Sequence, residues 1–306
     1  VTWDNSGNPA TGSNPITSSI PTSNYWSAVV SGRNSCSISL YTTSNDFEVS
    51  ALPTGFTAID TTNIASDISR SDSNTNKYFE ATLYTGSGSE KSVQSSTTTN
   101  TSAFSWIKNR GTDDNHMLFD RVRGVTKDWH SNSDAIQATN VQTVKAFLGG
   151  GVTIGTDVEV NTSSENYVLW NWMMSASGGG SSNEDGSINT TATLVDTTLG
   201  LSISQYTGTG SNATIGHGLG AVPKFIIIKN LDVAEDPAAY HEALGNTKRI
   251  FLNSSNSPSS STVFWQNTTP TSSVISIGTD SGLNQSSQTF ICYAFTDSQF
   301  VSIGSY

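Results

Sequence analysis

The chain has 306 residues and a formal net charge of -11, from 25 acidic against 14 basic residues. That balance repels a nucleic-acid duplex or an anionic membrane surface, since the basic residues are scattered rather than clustered. Charged residues make up only 13%, Ser, Thr, Asn and Gly fill the gap, and 12 Phe, 7 Trp and 9 Tyr run through the chain. Aromatics at that density argue for a folded, β-rich protein and against disorder. No apolar stretch approaches the roughly 18 residues of a membrane span. No charged-then-apolar leader is seen, so export by the common route is not expected.

In chain order, residues 1–73 contain the alternating segment WSAVVSGRNSCSISL and the turn-bearing LPTGFTAIDTTNI, which read as the end of a β-domain followed by a linker. A domain-sized repeat then begins. YTGSGS at Tyr84 returns as YTGTGS at Tyr206, IKN at Ile107 returns at Ile228, and TK at Thr126 returns at Thr247. NS at Asn132 returns at Asn253, IGTD at Ile154 returns at Ile277, and His116 is taken to match His241; the offsets stay between 121 and 125. The expected layout is a first β-sandwich repeat at 74–175, a flexible Gly/Ser linker at 176–187 and a second repeat at 188–306. With such a linker, the repeats should move relative to each other unless an interface forms.

Within each repeat the periodicity is that of strands. FSWIKN alternates as a half-buried strand does, whereas KFIIIKN is a continuous apolar run of the kind buried on both faces. NYVLWNWM and TFICYAF follow with β-branched and aromatic residues. One short helix per repeat is expected, at DDNHMLFDRVRG (113–124, capped by Asp113 or Asp114 and ended by Gly124) and at DPAAYHEALGN (Pro237 to Gly245). The closing FVSIGSY echoes GLSISQY before the second YTG, so it either closes the second domain or opens a third copy. The fold class is mainly β: tandem antiparallel β-sandwich domains of jelly-roll or lectin-like type with short helices.

Several residues could carry chemistry. Asp157, Asn161, Asp280 and Asn284 recur as oxygen donors before a strand and form a candidate calcium site; the plainer reading is an Asx-turn. His116 and His241 recur, but His130 and His217 add no zinc spacing. Cys36 and Cys292 read as buried free thiols. GxSxG, HExxH and Walker strings are absent from the sequence, and Asp113, Asp114 and Asp120 sit in a segment expected to be exposed, so no enzyme is expected and no catalytic residue is assigned. Trp106, Trp129, Trp170, Trp172 and Trp265 could stack on sugar rings; Trp170 and Trp172, two residues apart on one strand face and aligned to Tyr293 and Phe295, read instead as sandwich core. Trp265 lacks a tryptophan counterpart and is the candidate for a ligand-binding loop.

The phrases YFEATLYTGSGS, WIKNR, HMLFDRVRG, NYVLWNW, GLGAVPKFIIIKN, YHEALGNTKRIFLNSS and SIGTDSGLNQS resemble a repeat of structural proteins of tailed phages, marine ones especially. LPTGFTAIDTTNI resembles the junction after a SPRY-like, lectin-type sandwich in such proteins; the resemblance spans residues 50–306. It implies a virion surface component: a tail fibre or spike, a capsid fibre, or a decoration protein, with no activity. Other virion proteins are expected partners on this basis; the modest apolar content favours burial between copies of the chain, most simply in a trimer, and the Ser, Thr and Asn loops suit host surface glycans. The alternatives are a capsid cementing protein without receptor binding and a secreted bacterial adhesin or filament subunit. No cofactor is expected apart from the candidate calcium.

Overall fold

The computed structural model describes residues 3–8, 13–15, 77–94 and 98–305, in two units, Val1–Asn74 and Thr75–Tyr306. In the first unit, β1 (Trp3–Asn8) pairs antiparallel with β2 (Ser13–Pro15). Cys36, WSAVVSGRNSCSISL and LPTGFTAIDTTNI lie outside the described residues.

The second unit holds the two repeats. The first comprises β3 (Phe79–Thr85), β4 (Lys91–Gln94), β5 (Thr101–Asn109), β6 (Met117–Asp120), β7 (Lys127–His130), β8 (Ala138–Thr139), β9 (Val144–Leu148), β10 (Gly151–Ile154), α1 (Val158–Asn161) and β11 (Asn166–Met174). The second comprises β12 (Ala192–Asp196), β13 (Leu201–Thr207), β14 (Ala213–Gly216), β15 (Phe225–Asn230), β16 (Ala238–His241), β17 (Lys248–Phe251), β18 (Ser259–Ser260), β19 (Val274–Ile277), α2 (Ser281–Asn284) and β20 (Thr289–Phe295). The larger sheets run β3-β11-β5-β6-β7-β8 and β12-β13-β20-β15-β16-β17-β18. Apart from β12 the two orders are the same, strand for strand. Of the smaller sheets, β4-β10-β9 and β14-β19, the pairs β4-β10 and β14-β19 correspond, and β9 has no strand counterpart among the described residues. The protein is therefore mainly β, built of antiparallel sandwiches with two four-residue helices among the described residues.

Three buried clusters explain the layering. One lies inside the first sandwich and includes Ile107, Phe119, Val152 and Tyr167; another lies inside the second and includes Tyr206, Ile228, Phe264 and Phe290. The third lies between the two larger sheets, where Phe104, Leu118 and Trp129 meet Ile203, Ile227, Ile291 and Tyr293. Strand β20 shows the consequence of being covered twice. Phe290, Cys292 and Ala294 enter its own sandwich while Ile291, Tyr293 and Phe295 enter the seam, so TFICYAF has no polar alternation.

The expected helices at 113–124 and 237–245 are strands followed by turns. Met117 and Phe119 point into the first sandwich and Leu118 into the seam, which is period 2 and not 3.6. The turn closes by Gly124 N–H donating to Asp120 O (3.1 Å) in one repeat and Gly245 N–H to His241 O (3.2 Å) in the other. His241 thus corresponds to Asp120, not to His116; the 125-residue spacing of the two histidines misaligned them. Both side chains do the same local job. Asp120 Oδ1 accepts from Arg123 N–H, and His241 Nδ1 from Ala243 N–H.

The Gly/Ser stretch at 176–187 is pinned rather than free. Arg121 Nη2 donates to Ala176 O (2.8 Å), Ser181 bridges to Thr193, and Asn183 N–H donates to Thr190 Oγ1 (2.8 Å). Ile188, just beyond, enters the second sandwich core. Across the seam runs a buried polar chain. Trp129 Nε1–H donates to Tyr293 Oη (3.0 Å), Tyr293 Oη–H donates to Asp120 Oδ2 (2.6 Å), and Arg123 Nε–H donates to the same oxygen (2.5 Å). Burial pulls the Arg123 guanidinium down, but the Asp120 carboxylate outweighs it and leaves it raised; burial, then Asp120, holds the Tyr293 phenol well above its usual range. Tyr293→Phe keeps the ring and strips the hydroxyl from both neighbours. Denaturant unfolding should show a loss of about 1–3 kcal/mol, and a change below about 0.5 kcal/mol would mean the chain adds nothing to the seam.

Candidate functional site

The most repeated part of the sequence is a clamp. In α1, Asn161 is buried; its Oδ1 accepts from Ser87 N–H (2.8 Å) and its Nδ2 donates to Ser89 O (2.7 Å) and Gly155 O (2.6 Å). In α2, Asn284 repeats the pattern, accepting from Thr209 N–H (2.8 Å) and donating to Ser211 O (2.5 Å) and Gly278 O (3.0 Å). YTGSGS and YTGTGS are the loops so held. Gly88 and Gly210 lie at φ +65° and +74°, where glycine is favoured. A side chain on Gly86 or Gly208 would collide with the backbone carbonyl of Thr162 or Gln285. The tyrosine of each phrase donates into the helix, Tyr84 Oη–H to Val160 O and Tyr206 Oη–H to Leu283 O.

The aspartates cap the helices. Asp157 Oδ1 accepts from Glu159 N–H and Asp280 Oδ1 from Gly282 N–H, each at 2.9 Å, while Asp157 Oδ2 accepts from Asn140 Nδ2 (2.7 Å). Burial raises the Asp280 carboxyl against the opposing pull of Gly282 N–H and Arg249. The oxygens that the sequence offers to calcium are thus engaged with N–H donors, except Asp280 Oδ2, which lies 3.8 Å from Arg249 Nη1. Among the described residues, no group of three or more His, Cys, Asp or Glu is placed to hold a metal ion.

Trp265 does not sit on a binding loop. It is 1% exposed, donates Nε1–H to Lys248 O (3.1 Å) and packs edge-on against Tyr240 and Phe264. Matching bonds, Gly155 N–H to Thr143 O and Gly278 N–H to Phe264 O, place Trp265 where Val144 stands in the first repeat. A larger side chain simply fills the second core. Trp170 and Trp172 align with Tyr293 and Phe295, but on the seam face and half-buried, not in the sandwich core. His116 Nδ1 accepts from Trp106 Nε1–H (2.9 Å), and burial, then Lys108, lowers its pKa. His130 is in the first repeat and His217 in the second. Asp120 is fully buried in the seam, and burial pushes the Cys292 thiol up.

Two hollows open along the seam. One, of about 220 Å³, is lined by Phe104, Trp106, Trp172, Phe225 and Phe295, with Val301 and Ile303 of the last described residues against it. Those residues, 301–305, form no strand. The other, of about 250 Å³, is polar and has Arg123, Lys127, Gln137, Gln205, Asp232 and Thr289 around it. It forms because the 131–137 loop of the first repeat crosses onto the second, held by Gln137 N–H to Leu231 O (3.0 Å) and by Lys229 Nζ to Asp134 O (2.8 Å). Sequence reading missed this site. A visible signal was Lys229, directly after the apolar FIII run of β15.

Residues 74–306 match a family described as a domain of unknown function, DUF7483. The chain belongs to this family. Neither a curated protein nor a solved structure matches it. The DUF7483 match spans both repeats and the stretch between them, so the family's unit is the pair, as the shared seam requires.

Two predictions concern the DUF7483 unit. Asn161→Ala or Asn284→Ala leaves two carbonyls and one N–H unpaired and should cost about 2–4 kcal/mol in denaturant unfolding. Asn161→Asp, which cannot donate to Ser89 O and Gly155 O, should also destabilise, and added calcium should not restore it; restoration by calcium would revive the cation site. Lys229 is 0% exposed and donates to Asp134 O and Glu235 O; burial lowers its pKa to about 8 against the pull of Asp134, Glu235 and Asp236. The folded protein then releases this proton near pH 8 and the unfolded chain near 10.5. Between those values the unfolded state binds more protons, so this group's contribution to stability rises with pH. Thermal melts of the wild type and Lys229→Met should diverge across that window in this sense; parallel pH profiles would contradict it.

Proposed function

We propose that the chain is a non-catalytic structural component of a phage virion surface, part of a tail or capsid fibre or spike that takes part in host attachment. Its partners in this reading are further copies of itself, most simply in a trimer, other virion proteins and host surface glycans. The observation that carries the reading is the buried seam. It joins two sandwiches into one block, which suits a particle-surface element that must keep its shape while its loops and seam hollows face outward. The phage-like phrases are concentrated in the clamp loops and the seam strands, which supports the same assignment.

A second reading, a capsid cementing protein without receptor binding, is favoured by edge strand β3, which leaves Phe79 (42%) and Leu83 (65%) of its seam-side face exposed to a neighbouring protein. Cryo-EM of labelled particles together with a glycan array separates the two. Attachment predicts density on a projecting fibre and retention of at least one host glycan. Density confined to the capsid lattice with an empty array would favour cementing, and absence from the particle would overturn both.

A further inference from the structure

We infer that the polar seam hollow is a binding site for one neutral sugar ring, the terminal residue of a glycan; this rests on the attachment reading and deepens it. The argument starts from what the lining can donate and accept. The Arg123 guanidinium is spent on Asp120 and Leu118 O, and its Nη1 donates to Gln137 Oε1 (3.3 Å). Because a guanidinium only donates, it fixes the oxygen of Gln137 toward itself and leaves the NH2 end as a donor. Asp232 Oδ2 accepts from Thr289 N–H (2.6 Å), which leaves its other oxygen as an acceptor. Gln205 brings an amide with no hydrogen-bond partner among the described residues, both donor and acceptor. Lys127 Nζ gives one proton to Thr139 Oγ1 (2.8 Å) and keeps two.

The hollow therefore offers both donors and acceptors, and its free charges, Lys127 and Asp232, balance. An anion meets Asp232, a cation meets Lys127, and an apolar group would strand the polar lining. Adjacent hydroxyls, each able to donate and accept, match all four groups, and a volume of about 250 Å³ admits one ring rather than a chain. Leu231 supplies an apolar patch for a ring face.

Titration calorimetry on the full chain with glucose, galactose, mannose and N-acetylglucosamine tests the assignment, with inorganic phosphate as the charged comparison. At least one sugar should bind more tightly than phosphate, and Asp232→Asn and Gln205→Ala should each weaken it about tenfold or more. Asp232→Asn keeps an acceptor for Thr289 N–H, so unchanged melting would show the fold intact. No binding by any of the four sugars, phosphate binding more tightly, or sugar binding indifferent to both variants would overturn the site. If glycan-array binding survives in both variants, attachment stands and this hollow is not its site.

Discussion

The face-to-face burial of the two larger sheets is the constraint on which the second unit depends. Without it, Phe104, Trp129, Ile227, Tyr293 and Phe295 would meet water, and the Asp120–Arg123 pair would lose the hydroxyl that completes it. A buried ion pair contributes only when its remaining hydrogen-bonding capacity is met. Here Arg123 and Asp120 come from one repeat and the hydroxyl from the other, so neither repeat satisfies its own polar groups alone. The chemistry is also one-sided. The residues that stand in the swapped roles, Trp170 for Tyr293 and His241 for Asp120, make no such bond, so the two copies differ where they touch.

Where the copies remain alike is the clamp. Tyrosine, two glycines, a capping aspartate and a buried asparagine form one device, in which a single amide ties a loop to a helix end by three backbone bonds. The asparagine serves because it both donates and accepts; neither aspartate nor leucine of similar size can replace it. Tyr84 stacks on Tyr167 (5.1 Å) and Tyr206 on Phe290 (5.2 Å), so the aromatic support is retained even where one hydroxyl is lost.

What the sequence revealed follows the range of the interactions. The duplication, the strand runs and the Asx-turns of Asp157 and Asp280 were legible because turn chemistry is written in neighbouring residues; the short helices that those turns cap were not. DDNHMLFDRVRG was misread because its flanking Asp and Gly imitate helix caps, while the alternation of Met117, Leu118 and Phe119 between two cores is visible only once both cores are known. Trp265 was mistaken for an exposed residue because a core can enlarge in one copy without any local mark. The seam and its hollows join residues of different repeats, such as Asp120 and Tyr293, 173 positions apart, so no local pattern encodes them. Only the unbroken apolar runs of β15 and β20 hinted that their second face was covered.

If the seam makes the repeats one cooperative body, both must open together. Native-state hydrogen exchange across a denaturant series measures this directly, with amides of β5 and β11 reporting the first repeat and those of β13 and β20 the second. The account predicts that both sets converge on one opening free energy, within about 1 kcal/mol, as the denaturant rises. Opening of β5 and β11 at markedly lower cost, with β13 and β20 still protected, would show two independent domains and contradict it.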